Sequence, residues 1–113
     1  MSESSKQVSD IALVARRQPD LDQGHLDYHV YAGSQLVGRI YEIAPGHWKW
    51  AINSVMLDAT TDIQGGGYAA SMEEAQSSLR PSFERWLAWA LAVPASDLKF
   101  GPLDRNLKAI GVR

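Results

Sequence analysis

The sequence has no cysteine, no long hydrophobic run and little net charge. Without cysteine, the chain can form neither a disulfide nor a thiolate metal site, and this composition is compatible with a reducing cytoplasm. No stretch approaches the roughly 18 apolar residues that a membrane-spanning helix requires. The first ten residues, MSESSKQVSD, lack the apolar segment of a signal peptide. The net charge of −2 argues against a dedicated nucleic-acid binder, whose surface is usually basic. We therefore expect a cytoplasmic protein without a membrane partner.

The composition that remains is typical of one globular domain. The chain has 113 residues, of which 45% are hydrophobic and 21% are charged, and this is enough for a single hydrophobic core. Residues 1–10 are polar and rich in serine, so we expect a disordered tail ahead of a single domain over residues 11–113. The run IALVARR (11–17) fits either a strand or a helical turn, and the sequence does not decide between them.

Alternating apolar and polar residues predict an antiparallel sheet of three or four strands. In the first hairpin, a loop of odd length pairs Val30 with Leu36 and keeps the apolar faces of both strands together. The same register sets Asp27 opposite Arg39 on the outer face, which is a favourable cross-strand charge pair. The predicted strands are HLDYHVYA (25–32), LVGRIYEI (36–43), WKWAIN (48–53) and, as a short fourth strand, GYAA (67–70).

The two tryptophans of GHWKW can face either side of this sheet, depending on the loop that precedes them. A three-residue loop ending in Gly46 aligns Trp50 with Ile40 and turns both indoles toward the core. A two-residue turn of Pro45 and Gly46 instead turns both indoles outward, as an exposed aromatic platform of the kind that usually indicates a partner. Burial of two large indoles is the commoner outcome. We favour burial, and the loop length stays open.

A capping box marks the start of a long helix. Ser71 and Glu74 have the required spacing, and apolar residues then recur at helical spacing to about Ala92. Pro81 lies inside this segment, removes a backbone hydrogen bond and predicts a kink or a break into two helices. The segment PLDRNLKAIG (102–111) predicts a short amphipathic helix that ends at its glycine. The predicted fold class is α+β: an antiparallel three- to four-stranded sheet packed on one long helix, kinked or broken near Pro81, plus a short C-terminal helix.

Four short motifs carry a resemblance to a known family. In order, they are V-G-R-I-Y (37–41), W-K-W (48–50), G-Y-A-A-S-M-E-E-A (67–75) and W-L-A-W (86–89). In this order they resemble a family of small proteobacterial proteins of unknown function. The resemblance implies a bacterial protein, and it implies no activity because none is known for the family.

His25, Asp27 and His29 form the one constellation with potential for metal chemistry. The period of two in a strand places all three on one face, and two imidazoles with a carboxylate can hold an open divalent-metal site. Successive residues of one face lie roughly 6.5–7 Å apart at Cα, and three ligands in one row match a facial triad poorly. A solvated strand face, with Asp27 paired to Arg39, is the commoner interpretation of this spacing.

No pattern in the sequence indicates a catalytic centre. There is no cysteine and no G-x-S-x-G motif for nucleophilic catalysis, and Glu73 and Glu74 stabilise a helix N-terminus. The triplet Gly65-Gly66-Gly67 lacks the lysine and the spacing of a phosphate loop and precedes a strand, so we interpret it as a hinge. We therefore expect a non-enzymatic protein without a cofactor.

The sheet face opposite the long helix is the candidate binding surface. Its apolar side chains indicate a partner, since a free sheet face is usually polar. We expect that partner to be another protein or a second copy of the chain. The alternatives are the metal-dependent site and nucleic-acid binding through the sheet, for which two basic residues, Arg39 and Lys49, are few. The predicted partner-binding residues are His25, His29, Tyr31, Val37, Arg39, Tyr41 and Ile43.

Overall fold

The computed structural model of the protein describes residues 10–19, 26–53, 63–93 and 102–112. Within these ranges the chain forms an α+β architecture of five strands and two helices. The predicted disordered tail lies outside the described residues except for Asp10. The elements in chain order are β1 (Val14–Arg17), β2 (Asp27–Ala32), β3 (Gln35–Ala44), β4 (His47–Ile52), β5 (Gly66–Ala69), α1 (Met72–Ala92) and α2 (Pro102–Ile110).

The five strands form one antiparallel sheet in the order β1-β2-β3-β4-β5, so each strand pairs with its neighbours in the chain. The α+β prediction is confirmed, but the sheet has five strands rather than three to four. The additional strand is β1, whose four residues VARR are mostly exposed. Such a short segment shows no clear periodicity of its own, and its pairing with β2 decides its conformation.

A bulge in β3 sets the register of the first hairpin. Only Gly33 and Ser34 separate β2 from β3, and the pairing then shifts so that Val30 faces Gly38. The predicted odd-length loop, which paired Val30 with Leu36, is therefore wrong. Val37 is the extra residue of the bulge, and by adding one residue it brings the apolar faces of the two strands back into alignment.

A second bulge in β3 decides which way Trp48 and Trp50 face. The turn has two residues and ends in Gly46 at φ +75°, yet Trp50 faces Ile40, as a three-residue loop would place it. Ile43 is the extra residue that changes the parity. Both indoles are buried, with exposed fractions of 7% for Trp48 and 2% for Trp50. The predicted burial is confirmed, whereas the turn itself is the shorter one.

The predicted capping box begins α1. The Oγ of Ser71 accepts a hydrogen bond from the Glu74 amide at 3.1 Å, and Glu74 Oε1 accepts one from the amide of Ala70 at 2.9 Å. The carboxylate thus reaches one residue further back than in the usual motif. These contacts satisfy two backbone donors near the helix start, and they fix the position at which the chain passes from β5 into α1.

Pro81 does not break α1, which is one helix from Met72 to Ala92, so the predicted break into two helices is wrong. Proline removes the amide that would donate to the carbonyl of Ser77. Both Ser77 and Pro81 lie on the exposed side of the helix. Water can reach the carbonyl there, which makes the missing hydrogen bond tolerable.

The hydrophobic core lies between α1 and the sheet, and α2 closes one end of it. Helix α1 contacts β3, β4 and β5. The end of α2 is attached to the turn between β2 and β3, because the Ser34 amide donates to the carbonyl of Ala109 at 2.9 Å. As predicted, α2 ends at Gly111, whose amide donates to the carbonyl of Leu107 at 3.1 Å. The largest fully buried side chains are Trp50, Trp86, Phe83, Ile40, Leu79, Leu87, Leu107 and Val37.

Neither described helix combines the length and the apolar character that crossing a membrane requires.

Candidate functional site on the open face of the sheet

The face of the sheet opposite α1 carries the candidate site and is called the open face below. Side chains alternate between the two faces along a strand, and residues paired across neighbouring strands share a face. The pairing therefore arranges the open face in rows that run across the strands. Its two central rows are Arg16, His29, Arg39 and Ala51, and Asp27, Tyr41, Lys49 and Tyr68.

Three basic side chains of the open face lie over tyrosine rings. A cation within about 6 Å of a ring centroid is attracted by the negative face of the ring. Such a contact also holds a long side chain in one position, so less conformational entropy is lost when a partner binds. The distances from the cationic group to the ring centroid are 4.1 Å for Arg39 over Tyr41, 5.2 Å for Arg16 over Tyr31 and 5.6 Å for Lys49 over Tyr68.

One carboxylate, that of Asp27, is bound by Arg39. The Nε of Arg39 donates to Oδ1 at 3.0 Å and its terminal NH₂ nitrogen donates to Oδ2 at 2.8 Å, which is a bidentate pair. The predicted contact between these two residues is confirmed, although they are diagonal neighbours: Asp27 faces Tyr41 across the strands, and Arg39 faces His29. The guanidinium is therefore held by a carboxylate and a ring together.

The charge of the open face differs in sign from that of the whole chain. Its strand residues carry three cations, Arg16, Arg39 and Lys49, and one carboxylate, Asp27. The whole chain has a net charge of −2. The open face is thus a local basic surface on an acidic protein, which favours an anionic partner over a basic one.

A shallow depression lies beside the bound guanidinium. It has a volume of about 200 Å³ and is lined by Leu36, Gly38 and Ala51, with His29 and Arg39 at its side. Ala51 is small, and this leaves room beside the larger side chains of the neighbouring strands. The depression can accept an apolar side chain next to a positive charge.

The structure brings together most of the predicted partner-binding residues. Ile43 is 45% exposed at the bulge near the end of β3. The prediction for Val37 is wrong, because the other bulge places this residue in the core with no exposed surface. His25 lies outside the described residues. The predicted residues found on the open face are His29, Tyr31, Arg39 and Tyr41.

Two residues of this surface, Arg16 and Tyr68, were missed by sequence reasoning. Arg16 lies in a segment that fits either a strand or a helical turn. Its side chain therefore cannot be assigned to a face of the sheet from the sequence. Tyr68, which is 74% exposed, was recognised as part of a strand but could not be paired. The faces of segments as short as GYAA and VARR can be assigned only once their pairing with a neighbouring strand is known.

The predicted metal site gains no support from the described geometry. Both oxygens of Asp27 accept hydrogen bonds from Arg39, so a metal would have to displace the guanidinium. Within residues 10–19, 26–53, 63–93 and 102–112, no three His, Cys, Asp or Glu side chains are placed to hold a metal ion. Because His25 lies outside these ranges, the site with His29 stays a prediction.

Comparison with known proteins leaves the chain without an assigned family. No protein-family model matches it significantly, and neither a curated protein nor a solved structure does so. The resemblance to small proteobacterial proteins of unknown function stays a prediction. The function is therefore argued from the open face alone.

Proposed function

We propose that the protein is a non-enzymatic binding module that docks another protein on the open face of its sheet. The partner surface is acidic and presents an apolar side chain. The observation that carries this proposal is the set of three basic side chains stacked over tyrosines across five strands. The proposal places the module in the cytoplasm, since a chain without cysteine is suited to a reducing compartment.

The residue types of the open face favour a protein partner. Tyrosine and arginine are enriched at the energetic centres of protein interfaces, because they combine a large contact area with hydrogen-bonding groups. On the open face they are already stacked on each other, so little side-chain entropy remains to be lost. Among the described residues, Arg16 and Lys49 make no ion pair like the one between Arg39 and Asp27, so a carboxylate of the partner can approach them directly.

The depression beside Arg39 supplies the apolar part of the interface. Interface energy is concentrated where an apolar side chain fills a pocket surrounded by polar contacts. The depression of about 200 Å³ lies beside the row that contains His29, Arg39 and Ala51, on the side of Leu36 and Asn53. A partner segment with one apolar residue between acidic residues would place its anchor there and its carboxylates over the cations.

Pairing at the sheet edges is less favoured as a mode of binding. The edge strands of the described sheet are β1 and β5, and each has only four residues. Short edge strands and charged edge residues discourage the addition of a further strand, and β1 carries both Arg16 and Arg17. A nucleic-acid partner is less favoured as well, because three cations on an acidic protein give a weak attraction for a phosphate chain.

The test uses synthetic peptides and NMR titration of backbone amides. The probe peptide has one leucine between aspartate and glutamate residues. One matched peptide replaces the leucine by serine, and another replaces the acidic residues by lysine. We expect the acidic leucine peptide to shift amides of β2, β3 and β4 at about 150 mM salt. The double variant with Arg16→Glu and Lys49→Glu should weaken binding by about tenfold or more.

The control variant is Arg105→Glu, an equal change of charge per site at an exposed residue of α2, and it should leave binding unchanged. Shifts that map to α1 or α2 instead of the strands would contradict the proposal. So would equal binding of the lysine peptide. Saturable binding of oligothymidylate without binding of the acidic peptide would make the open face a nucleic-acid surface. If the apparent molecular mass in solution rises with protein concentration, and no longer does so in the double variant, the open face is a dimer interface.

A further inference from the structure

A cavity lies between β1 and α1 on the covered face of the sheet, which is the face that packs on α1. Its volume is about 200 Å³, and its described lining comes from β1, β2, β3, α1 and the segment before β1. Val30, Ile40 and Leu79 form its inner wall and are buried, with at most 3% of each residue exposed. Leu13 and Ala15 are only partly buried. The cavity therefore lies at the margin of the hydrophobic core.

The cavity forms where one row of the covered face has small side chains. This row runs from Ala15 through Val30 to Gly38, across β1, β2 and β3. Leu79 takes the space above Gly38, because its Cδ1 atom lies 2.9 Å from the point that a Cβ of Gly38 would occupy. Helix α1 packs mainly on β3, β4 and β5, so it covers the β1 end of the row less closely. The row is therefore filled at Gly38 and left open at Ala15.

The charged residue of the described lining, Arg80, is already paired. One terminal nitrogen of its guanidinium donates to Glu84 Oε2 at 2.9 Å, and the other donates to the carbonyl of Ile11 at 2.8 Å. The carboxylate of Glu84 thus compensates the charge of the guanidinium on the same helix. A charge buried against the apolar inner wall would be costly, because nothing there replaces its hydration. The cavity therefore does not favour a charged occupant.

The size and the walls of the cavity favour a small apolar occupant. Five of the seven described lining residues are apolar, and Gln76 lines the cavity from an exposed position. Cavities of about 150 Å³ with aliphatic and aromatic walls stay free of water and bind benzene. Sites for larger ligands have volumes of roughly 300 Å³ or more. The cavity therefore has room for one hydrocarbon ring or a short chain.

We propose that the cavity between β1 and α1 binds a small uncharged molecule through a hydrocarbon group, which is an aromatic ring or the end of an alkyl chain. The hydrocarbon group lies above Ala15 and contacts Val30 and Leu79, and any polar group of the ligand faces solvent beside Gln76. Removal of apolar surface from water supplies the binding free energy. This inference does not depend on the proposed function, because the cavity and the docking surface are on opposite faces of the sheet.

The test follows the methyl resonances of Val30, Ile40 and Leu79 in the full chain by NMR. The probes are toluene, which supplies a ring, and n-hexanol, which supplies a chain. The control is the hexanediol with a hydroxyl group at each end of the same chain. Burying either end of this diol removes a polar group from water, so it should not enter the cavity. We expect a saturable shift of the methyl resonances with at least one probe and none with the diol.

Two variants fill the cavity from its small residue. Ala15→Leu places a larger apolar side chain in the space of the ligand and should abolish the shifts. Ala15→Val fills less of this space and should weaken binding by about fivefold. Valine suits a strand, so this variant keeps the test decisive if Ala15→Leu fails to fold. Ala88→Leu makes the same change at an exposed position of α1 and should leave binding unchanged.

The two probes separate the two kinds of hydrocarbon group. A response to toluene alone identifies a site for a ring, and a response to n-hexanol alone identifies a site for a chain; each result, or a response to both, supports the proposal. The proposal is overturned if neither probe shifts the methyl resonances, if the diol acts as n-hexanol does, or if Ala15→Leu leaves the affinity unchanged. Shifts confined to the open face would overturn it as well. Loss of peptide docking in the variants of Arg16 and Lys49 would not affect these results.

Discussion

The two faces of the sheet use the same strands for different purposes. On the covered face, β4 contributes Trp48, Trp50 and Ile52, all of them buried against the core. On the open face, the residues that alternate with them include Lys49 and Ala51. Because side chains along a strand point alternately to the two faces, the same strands separate a surface that stabilises the fold from one that is available to a partner.

The kind of aromatic residue follows this division. Tryptophan lies on the covered face of β4, where its large apolar area is removed from water. Tyr31, Tyr41 and Tyr68 lie on the open face, where each ring supports a cation. Tyr28 is the exception, since it contacts Trp48 on the covered face. The aromatic residues therefore serve both the core and the proposed docking surface, and only the register of the strands tells which residue belongs to which.

The largest contrast between the faces is expected for Trp50 and Tyr68. Trp50→Ala removes a fully buried indole and should lower the free energy of unfolding by about 3–5 kcal/mol. Tyr68→Ala removes an aromatic ring that is mostly exposed and should change it by no more than about 0.5 kcal/mol. Urea denaturation followed by circular dichroism measures both values. Similar values for the two variants would show that the faces do not differ as described.

The two bulge residues of β3 give a sharper test within one strand. Val37 has no exposed surface, whereas Ile43 is 45% exposed. Val37→Ala should lower the free energy of unfolding by about 1.5–3 kcal/mol, since a buried valine contributes about that much. Ile43→Ala removes more atoms and should nevertheless cost less than about 1 kcal/mol. A larger loss for Ile43 than for Val37 would mean that the two bulges are assigned to the wrong sides.

The sequence predicted the elements of this fold better than their alignment. The limits of α1 and α2 follow from signals that are local in the chain, such as the capping box at Ser71 and the glycine at position 111. The register of the hairpins depends on bulges at Val37 and Ile43. Neither residue has a local sequence signal that predicts a bulge. Val37 was assigned to the open face for this reason.

The candidate site was predictable only in part, and for the same reason. His29, Arg39 and Tyr41 follow from the alternation within two long strands. Arg16 depends on β1, which becomes a strand only through its partner β2. A cavity lined by Trp50, Gly67 and Pro81 could not be predicted either, because it forms only where β5 and α1 are placed against each other, and the sequence does not indicate how far apart they lie.

A third prediction compares two arginines that differ in their surroundings. Arg80 of α1 donates to the carbonyl of Ile11 at 2.8 Å and to Glu84 at 2.9 Å, so it connects the segment before β1 with the helix. Arg80→Gln should lower the free energy of unfolding by about 1–2 kcal/mol. Arg16→Gln on the open face should lower it by less than about 0.5 kcal/mol. Thermal unfolding of both variants separates them, and a larger effect for Arg16 would assign it a structural role.

The smallest effect is expected for the ion pair of the open face. A double-mutant cycle with Asp27→Asn and Arg39→Gln isolates its coupling energy. The arginine side chain is half exposed, so we expect a coupling of about 0.2–1 kcal/mol that decreases in about 1 M sodium chloride. Arg39→Gln should cost more than Asp27→Asn, because it also removes the cation from Tyr41. A coupling above about 2 kcal/mol that does not change with salt would mean that this pair stabilises the fold as buried residues do. The open face would then be part of the structural framework, and a partner would have to bind without disturbing Arg39.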